Sequence, residues 1–223
     1  NVAGGGRGMY LGQERDSRAG GVEYFRPDGA NTFGAGPSGI RVLPVIFRDE
    51  DVRAGVGLGM RGEGDCFEPD QGAAAGVAVR LLRELERADT SSALSVESLC
   101  HEILGLARRW PAPAAIGAGC VGRVVEILRA CPAEPVGLGA LAAEVGMNAA
   151  HLARSFRAAM GVSPGEYHRR ARVAEAARRL AARDEPIVAI ASDLGFADQA
   201  HLTRWFTRIA GVSPAAYRRM LWA

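Results

Sequence analysis

His151-Leu152-Ala153-Arg154-Ser155-Phe156 and His201-Leu202-Thr203-Arg204-Trp205-Phe206 decide the fold, because they are one motif written twice. Fifty residues separate the copies. The same offset carries Gly161-Val162-Ser163-Pro164-x-x-Tyr167 onto Gly211-Val212-Ser213-Pro214-x-x-Tyr217. Just upstream, Leu141-Ala142-x-x-x-Gly146 matches Ile190-Ala191-x-x-x-Gly195 at an offset of forty-nine, so the turn in the second copy is one residue longer. A short helix, a glycine turn and a second helix with an outward arginine is how a helix-turn-helix reads. Two such units in one chain can enter two segments of major groove without a second subunit. The pattern points to DNA.

The residues around these blocks carry the local signals. Val121, Val124, Val125 and Leu128 form a first core-facing stripe, and 137–145 reads as the short first helix of the first unit. Asn148 and Asp198 stand where an N-cap is needed. Gly146 and Gly195 read as turn residues that need a positive φ. Ser163-Pro164-Gly165-Glu166 combines a cap, a proline at the first helical position and a glutamate three residues after the cap. It predicts a long helix to about residue 182, with Tyr167, Val173, Ala174, Ala177 and Leu180 inward; Pro186 then starts the second unit. Tyr167 and Tyr217 are expected in the core with their hydroxyls reaching the surface.

Two recognition helices follow from the same periodicity. In the first, about 149–160, Leu152 and Phe156 point inward while Ala150, Ala153, Arg154 and Arg157 face out. In the second, about 199–209, Leu202, Phe206 and Ile209 are inward, and Gln199, Ala200, Thr203, Arg204 and Thr207 are outward. Arg154 and Arg204 have the fork that matches guanine O6/N7, and Gln199 suits adenine N6/N7. The alanines offer only a methyl to a thymine methyl. The alternative for the arginines is phosphate contact or a solvated face. His151 and His201 recur, yet neither has a second ligand at metal spacing, so packing or phosphate contact is the expected use.

Residues 1–109 look different. The first 76 contain eighteen glycines, and short apolar runs at 22–25 and 40–47 are predicted as strands, Pro44 placing the second at an edge. An amphipathic helix is expected over 77–87, with Val77, Leu81, Leu82 and Leu85 on one face. Another is expected over 95–109, with Val96, Leu99, Cys100, Ile103, Leu104 and Ala107 in a stripe. That stripe is expected to pack on the strands or on a second copy. Residues 110–118, with two prolines and closing glycines, read as a linker before a double helix-turn-helix domain at 119–223. Net charge is only +2, but 137–223 holds twelve Arg against seven acidic residues, and 1–136 holds fifteen against eighteen. A basic C-terminal part suits a polyanion. Cys66, Cys100, Cys120 and Cys131 form no C-x-x-C and read as reduced core residues of a cytoplasmic protein. The first residue is Asn, so the chain reads as a fragment or a processed product.

With these motifs in hand, residues 121–219 resemble the DNA-binding domain of the AraC/XylS family of bacterial transcription regulators. The resemblance implies an all-α domain of two helix-turn-helix units joined by the helix from 164, each placing its second helix in the major groove. It maps the base-reading positions onto Ala150, Ala153 and Arg154, and onto Gln199, Ala200, Thr203 and Arg204. The poor hydrogen-bonding capacity of Ala150 and Ala153 leaves Arg154 most of the selectivity of the first unit. It further implies a smaller α+β, cupin-like N-terminal part that senses an effector or dimerises. Residues 1–100 contain no histidine, so a catalytic metallocupin is disfavoured there. No G-x-S-x-G or P-loop pattern offers other chemistry.

The expectation is therefore a non-enzymatic, sequence-specific DNA-binding regulator, with no catalytic residues, metal or cofactor. Double-stranded DNA is its partner; RNA polymerase, a second copy and a small-molecule effector are admitted as others, a membrane is not. Two alternatives stay open, an enzyme carrying a DNA-binding tail and a protein-interaction adaptor using the helical domain for docking.

Overall fold

Four glycines, Gly146, Gly161, Gly195 and Gly211, take φ of +64°, +72°, +69° and +75°, and they mark the joints of the duplicated unit. The computed structural model describes residues 3–10, 13–17, 31–41, 45, 71–87, 89–109, 119–130, 132–134, 136–181 and 185–222. The first unit contains α3 (Cys120–Ala130), α4 (Leu138–Glu144) and α5 (Ala149–Met160). The long α6 (Pro164–Leu180) follows, then α7 (Ile187–Asp193), α8 (Gln199–Ala210) and α9 (Pro214–Trp222). Upstream lie α1 (Gln71–Arg87) and α2 (Ser92–Arg109).

Helix starts follow the expected chemistry. Ser163 Oγ accepts from Glu166 N at 3.2 Å, and Pro164 opens α6. Gly161 and Gly211 cap α5 and α8 in the left-handed conformation that spares the chain a Cβ clash. The turn from α4 to α5 spans 145–148 and that from α7 to α8 spans 194–198, so the extra residue lies where the two offsets differ.

Two cores result. Val124, Val125, Leu128, Leu141, Leu152, Phe156 and Tyr167 form the first, around the N-terminal half of α6. Val173, Ala176, Ala177 and Leu180 of the C-terminal half join Ile190, Leu202, Phe206, Tyr217 and Leu221 in the second. The edge-on pairs Phe156–Tyr167 (5.6 Å) and Phe206–Tyr217 (5.4 Å) are the same contact repeated. Ala174, expected inward, is only half-buried; Ala176 takes its place.

The tyrosines part company at their hydroxyls. Tyr167 Oη accepts from Arg129 Nε at 2.8 Å. Tyr217 is wholly buried, and its hydroxyl has no hydrogen-bond partner among the described residues, against the expectation that it reaches the surface. Burial pushes its pKa well above the usual tyrosine range. Tyr217→Phe should therefore be neutral or stabilising in urea denaturation, because it deletes an unsatisfied buried group. Tyr167→Phe should cost about 1 kcal/mol through its lost hydrogen bond. Equal losses in both variants would contradict this.

The N-terminal part has strands followed by two helices, as expected, but with other bounds. Strands β1 (Ala3–Tyr10), β2 (Gln13–Ser17) and β3 (Asn31–Arg41) form an antiparallel sheet in the order β2-β1-β3, with an irregularity between Gly4 and Gly6. The strand expected at 22–25 lies outside the described residues, as does the linker 110–118. Of the one expected at 40–47, Ile40 and Arg41 close β3, while Val45 is in no strand. These glycine-rich stretches show no period-two alternation, and nothing in their composition explains the strand positions.

α1 begins six residues earlier than its stripe suggested, at Gln71, and it packs against α6, α8 and α9. Its Ala75 and Val79 belong to the second core. The cause is a run of small residues. A Cβ at Gly76 would lie 1.9 Å from Ala210 O, and one at Gly72 would lie 3.0 Å from Val173 Cγ1. Val77 and Leu81 are buried as expected, but Leu85 is exposed. α2, starting at Ser92, lies on α1; among the described side chains of its stripe Leu104 is buried, and Val96, Leu99, Cys100 and Ile103 are half-exposed. Arg80 Nη2 pairs with Glu102 Oε1 at 2.8 Å across this hairpin. Cys120, expected in a core, is exposed and donates its thiol to Val145 O at 3.7 Å.

Candidate nucleic-acid interface

α5 and α8 are each oriented by a cap and a buried face. Asn148 Oδ1 accepts from Ala150 N at 2.9 Å at the start of α5. Asp198 Oδ1 accepts from His201 N at 2.6 Å at the start of α8. Leu152, Phe156 and Met160 are buried beneath α5, and Leu202, Phe206 and Ala210 beneath α8. Their spacing turns the other face outward. Ala150, Arg154 and Arg157 are exposed on α5, with Ala153 half-buried; Gln199, Ala200, Arg204 and Thr207 are exposed on α8, with Thr203 half-buried. Thr203 Oγ1 donates to Gln199 O at 2.8 Å, so its proton is used inside the helix and only its lone pairs face out.

The arginines divide by helix. Four of the five on α6 are paired with carboxylates: Arg169 and Arg170 with Glu166 (3.5 and 3.2 Å), Arg178 with Glu175, and Arg179 with Glu185 and with Asp193 (2.7 Å). Among the described residues no carboxylate pairs with Arg154, Arg157 or Arg204. Arg154, Arg157 and Arg204 thus stand on the two outward faces without a carboxylate, where a phosphate or a guanine edge would be an anionic or acceptor partner.

The copies are not equivalent. The extra residue of the second turn accommodates Phe196, which is 5 % exposed and meets the His201 ring edge-on at 5.5 Å. Trp205 Nε1 donates to His201 Nε2 at 3.0 Å, while Ala197 N approaches Nδ1 at 3.3 Å. Arg169 and Arg208 sit over the Trp205 ring at 4.7 and 5.1 Å from its centroid. In the first copy Ser155 replaces the tryptophan, and His151 is exposed. Among the described residues no three His, Cys, Asp or Glu side chains are grouped to hold a metal.

One site-shaping residue escaped the sequence reading. Arg172 is 9 % exposed, and burial, then the neighbouring Arg169, lowers its pKa below the usual arginine value. The signal was available, since Arg172 lies one helical turn from the buried His168 and one from Ala176, on an otherwise inward row.

Comparison with known proteins bears on the same segment. Residues 141–220 match the family model described as "Helix-turn-helix domain", the AraC-type helix-turn-helix. The DNA-binding domain of AdpA, a global transcriptional factor solved with a target DNA, is 30% identical over 46% of this chain and 92% of that one (TM-score 0.43). The chain belongs to the AraC family. Other similar structures of this AraC type are the C-terminal domain of AraT, a response regulator from Geobacillus stearothermophilus, and a transcriptional regulator from Chromobacterium violaceum. The first shares 26% identity over 45% of this chain and 84% of that one (TM-score 0.43). The second shares 24% over 46% and 91% (TM-score 0.44). The assignment rests on the family model and the 30% identity, not on the superpositions. No curated protein sequence matches the chain. The AraC-type domain is that of DNA-binding transcription regulators, and no helix among the described residues is long and apolar enough to cross a membrane.

Proposed function

We propose that this AraC-family chain regulates transcription by placing α5 and α8 in two successive major-groove segments of one duplex. The observation that carries the reading is the pair of outward helix faces, each with an arginine that no carboxylate pairs, Arg154 and Arg204, at an offset of fifty along one chain. The seventeen residues of α6 span about 26 Å at 1.5 Å per residue. With its flanking turns, that length suits groove segments about 34 Å apart on one side of B-DNA. Arg154 and Arg204 are assigned to base edges, with Gln199, Ala150, Ala153, Ala200 and Thr203 completing the reading surfaces; Arg157 and Thr207 are assigned to the backbone. The AdpA domain was solved on a target DNA, which supports duplex DNA as the ligand here.

Residues 119–223 are taken as the DNA-binding domain and 1–109 as the sensor or dimerisation region, the sheet and the α1–α2 hairpin supporting an α+β description. Effector control is proposed to act through α1, since it packs on α8. A cleft of about 680 Å³ between the hairpin, the turn before α9 and the last turn of α9, lined by Arg80, Arg83, Arg87, Leu99, Val212 and Met220, is where an effector would be felt by both parts. The half-exposed Val96, Cys100 and Ile103 of α2, outside that cleft, are the face proposed for a second copy.

The test is fluorescence anisotropy of the full chain on a labelled duplex of mixed sequence, titrated with salt. Affinity should fall steeply, by a log–log slope of about 0.9 for each phosphate neutralised. No binding at low salt, or binding flat in salt, would remove the reading and favour the adaptor alternative.

A further inference from the structure

We propose that Arg172 is a positioning residue that fixes the separation and angle at which α5 and α8 are held; the inference rests on the two-site reading above. The guanidinium spends its donors on main-chain carbonyls from both units. Nε donates to Pro132 O at 2.7 Å, Nη2 to Ala133 O at 3.4 Å and Nη1 to Gly195 O at 3.2 Å. The first two belong to the connection between α3 and α4, in the first unit. The third belongs to the turn between α7 and α8, in the second. The side chain itself comes from α6, which contributes to both cores.

The two turns are already in contact at this point. A Cβ on Gly195 would lie 2.4 Å from Ala133 O, a backbone atom. The guanidinium carbon also lies 5.9 Å from the centroid of Phe196, which in turn supports His201 in the first turn of α8. A continuous series of contacts therefore runs from the entry of α4 through Arg172 to the entry of α8. Without it, the units would be hung on the two halves of one helix and free to hinge about it. With it, a bipartite duplex is read at one spacing.

The residue type matters. Guanidinium is a planar fork with five fixed donors, so it can hold three carbonyls at once, whereas an ammonium is a compact point donor. Arg169, Arg170, Arg178 and Arg179 have carboxylate partners beside them. Arg172 has carbonyls, so its role is geometric and not that of a surface ion pair.

The test uses the full chain with its four cysteines replaced by serine and spin labels at two exposed positions, Ala158→Cys on α5 and Ser192→Cys on α7. The distance between labels is measured without DNA. Affinity is measured on a duplex selected by the wild-type chain, and on the same duplex with one base pair inserted between its halves, a rotation of about 35°. Wild type should give a narrow distance distribution and lose about tenfold in affinity on insertion, because simultaneous engagement fails when geometry forbids it. Arg172→Lys should broaden the distribution and cut that loss to about twofold, the mark of a hinge in place of a clamp. Arg178→Lys removes an exposed guanidinium from the same helix, where its partner is Glu175 and not a carbonyl of either turn, so it controls for the substitution itself and should keep the wild-type distance and penalty. A broad distribution in the wild type overturns the proposal without any variant. So does Arg172→Lys matching wild type in both readouts. Failure of the wild-type chain to select any duplex overturns the two-site reading instead, and the distances alone then judge the clamp.

Discussion

Gly76→Ala is expected to destabilise the chain by about 2–4 kcal/mol, although the same change in an ordinary helix interior stabilises by about 1 kcal/mol. The sign is what makes it informative. A Cβ at this position would lie 1.9 Å from Ala210 O and 2.6 Å from Ala210 C and Cα. Those are main-chain atoms at the end of α8, and no rotamer change can clear them. The two helices must separate, and Ala75 and Val79, each 1 % exposed, lose their packing in the second core. Urea denaturation of the full chain should show the loss. Hydrogen exchange should place it in α1 and in the end of α8, with α3–α5 unchanged. A stabilised Gly76→Ala chain would mean that α1 does not rest on α8 in solution, and the proposed route for effector control would go with it.

Phe206→Ala should cost roughly 3–5 kcal/mol, as a buried ring replaced by a methyl leaves a cavity that helices can only partly close. Phe206 is fully buried, meets Tyr217 edge-on and lies under the proposed reading face of α8. Phe156→Ala should cost a similar amount for the matching contact with Tyr167. The two losses should fall in different places. Phe156 belongs to the core of α3, α4, α5 and the first half of α6, and Phe206 to that of α1, the second half of α6 and α7–α9. Hydrogen exchange on the Phe156→Ala chain should therefore loosen α3–α5 more than α7–α9. Uniform loosening in both variants would show one cooperative unit and would weaken the case for two separately built reading heads.

The helices of the C-terminal part were legible because each signal was local. Asn148, Ser163 and Asp198 announced helix starts, Gly146 and Gly195 announced turns, and the 3.6-residue spacing of Leu152 with Phe156 and Leu202 with Phe206 fixed which face is outward. What periodicity cannot supply is the partner of a face. α1 showed its stripe plainly, yet nothing in Val77 and Leu81 says whether strands, a second copy or α6 and α8 cover them. The pair Gly72 and Gly76, one helical turn apart beside alanines, was the missed sign of a close backbone approach. Arg172 was overlooked for a related reason. Five arginines lie on α6, and only the three-dimensional placement of Pro132, Ala133 and Gly195 separates the one that holds carbonyls from those that pair with glutamates. The strand expected over 40–47 meets β3 only at Ile40 and Arg41 among the described residues, because a glycine-rich segment has few side chains with which to display a period.

Selection of bound duplexes from a random library, run in parallel on the wild-type chain and on its Arg154→Ala and Arg204→Ala variants, tests the central claim most directly. The wild type should enrich a motif with two informative halves about one helical turn apart. Arg154→Ala should relax preference at one or two base pairs of one half, and Arg204→Ala at one or two of the other, each at a cost of about 1–3 kcal/mol on the intact site. A wild-type motif with a single informative half, or two variants that lose preference at the same base pairs, would contradict the assignment of α5 and α8 to separate groove segments.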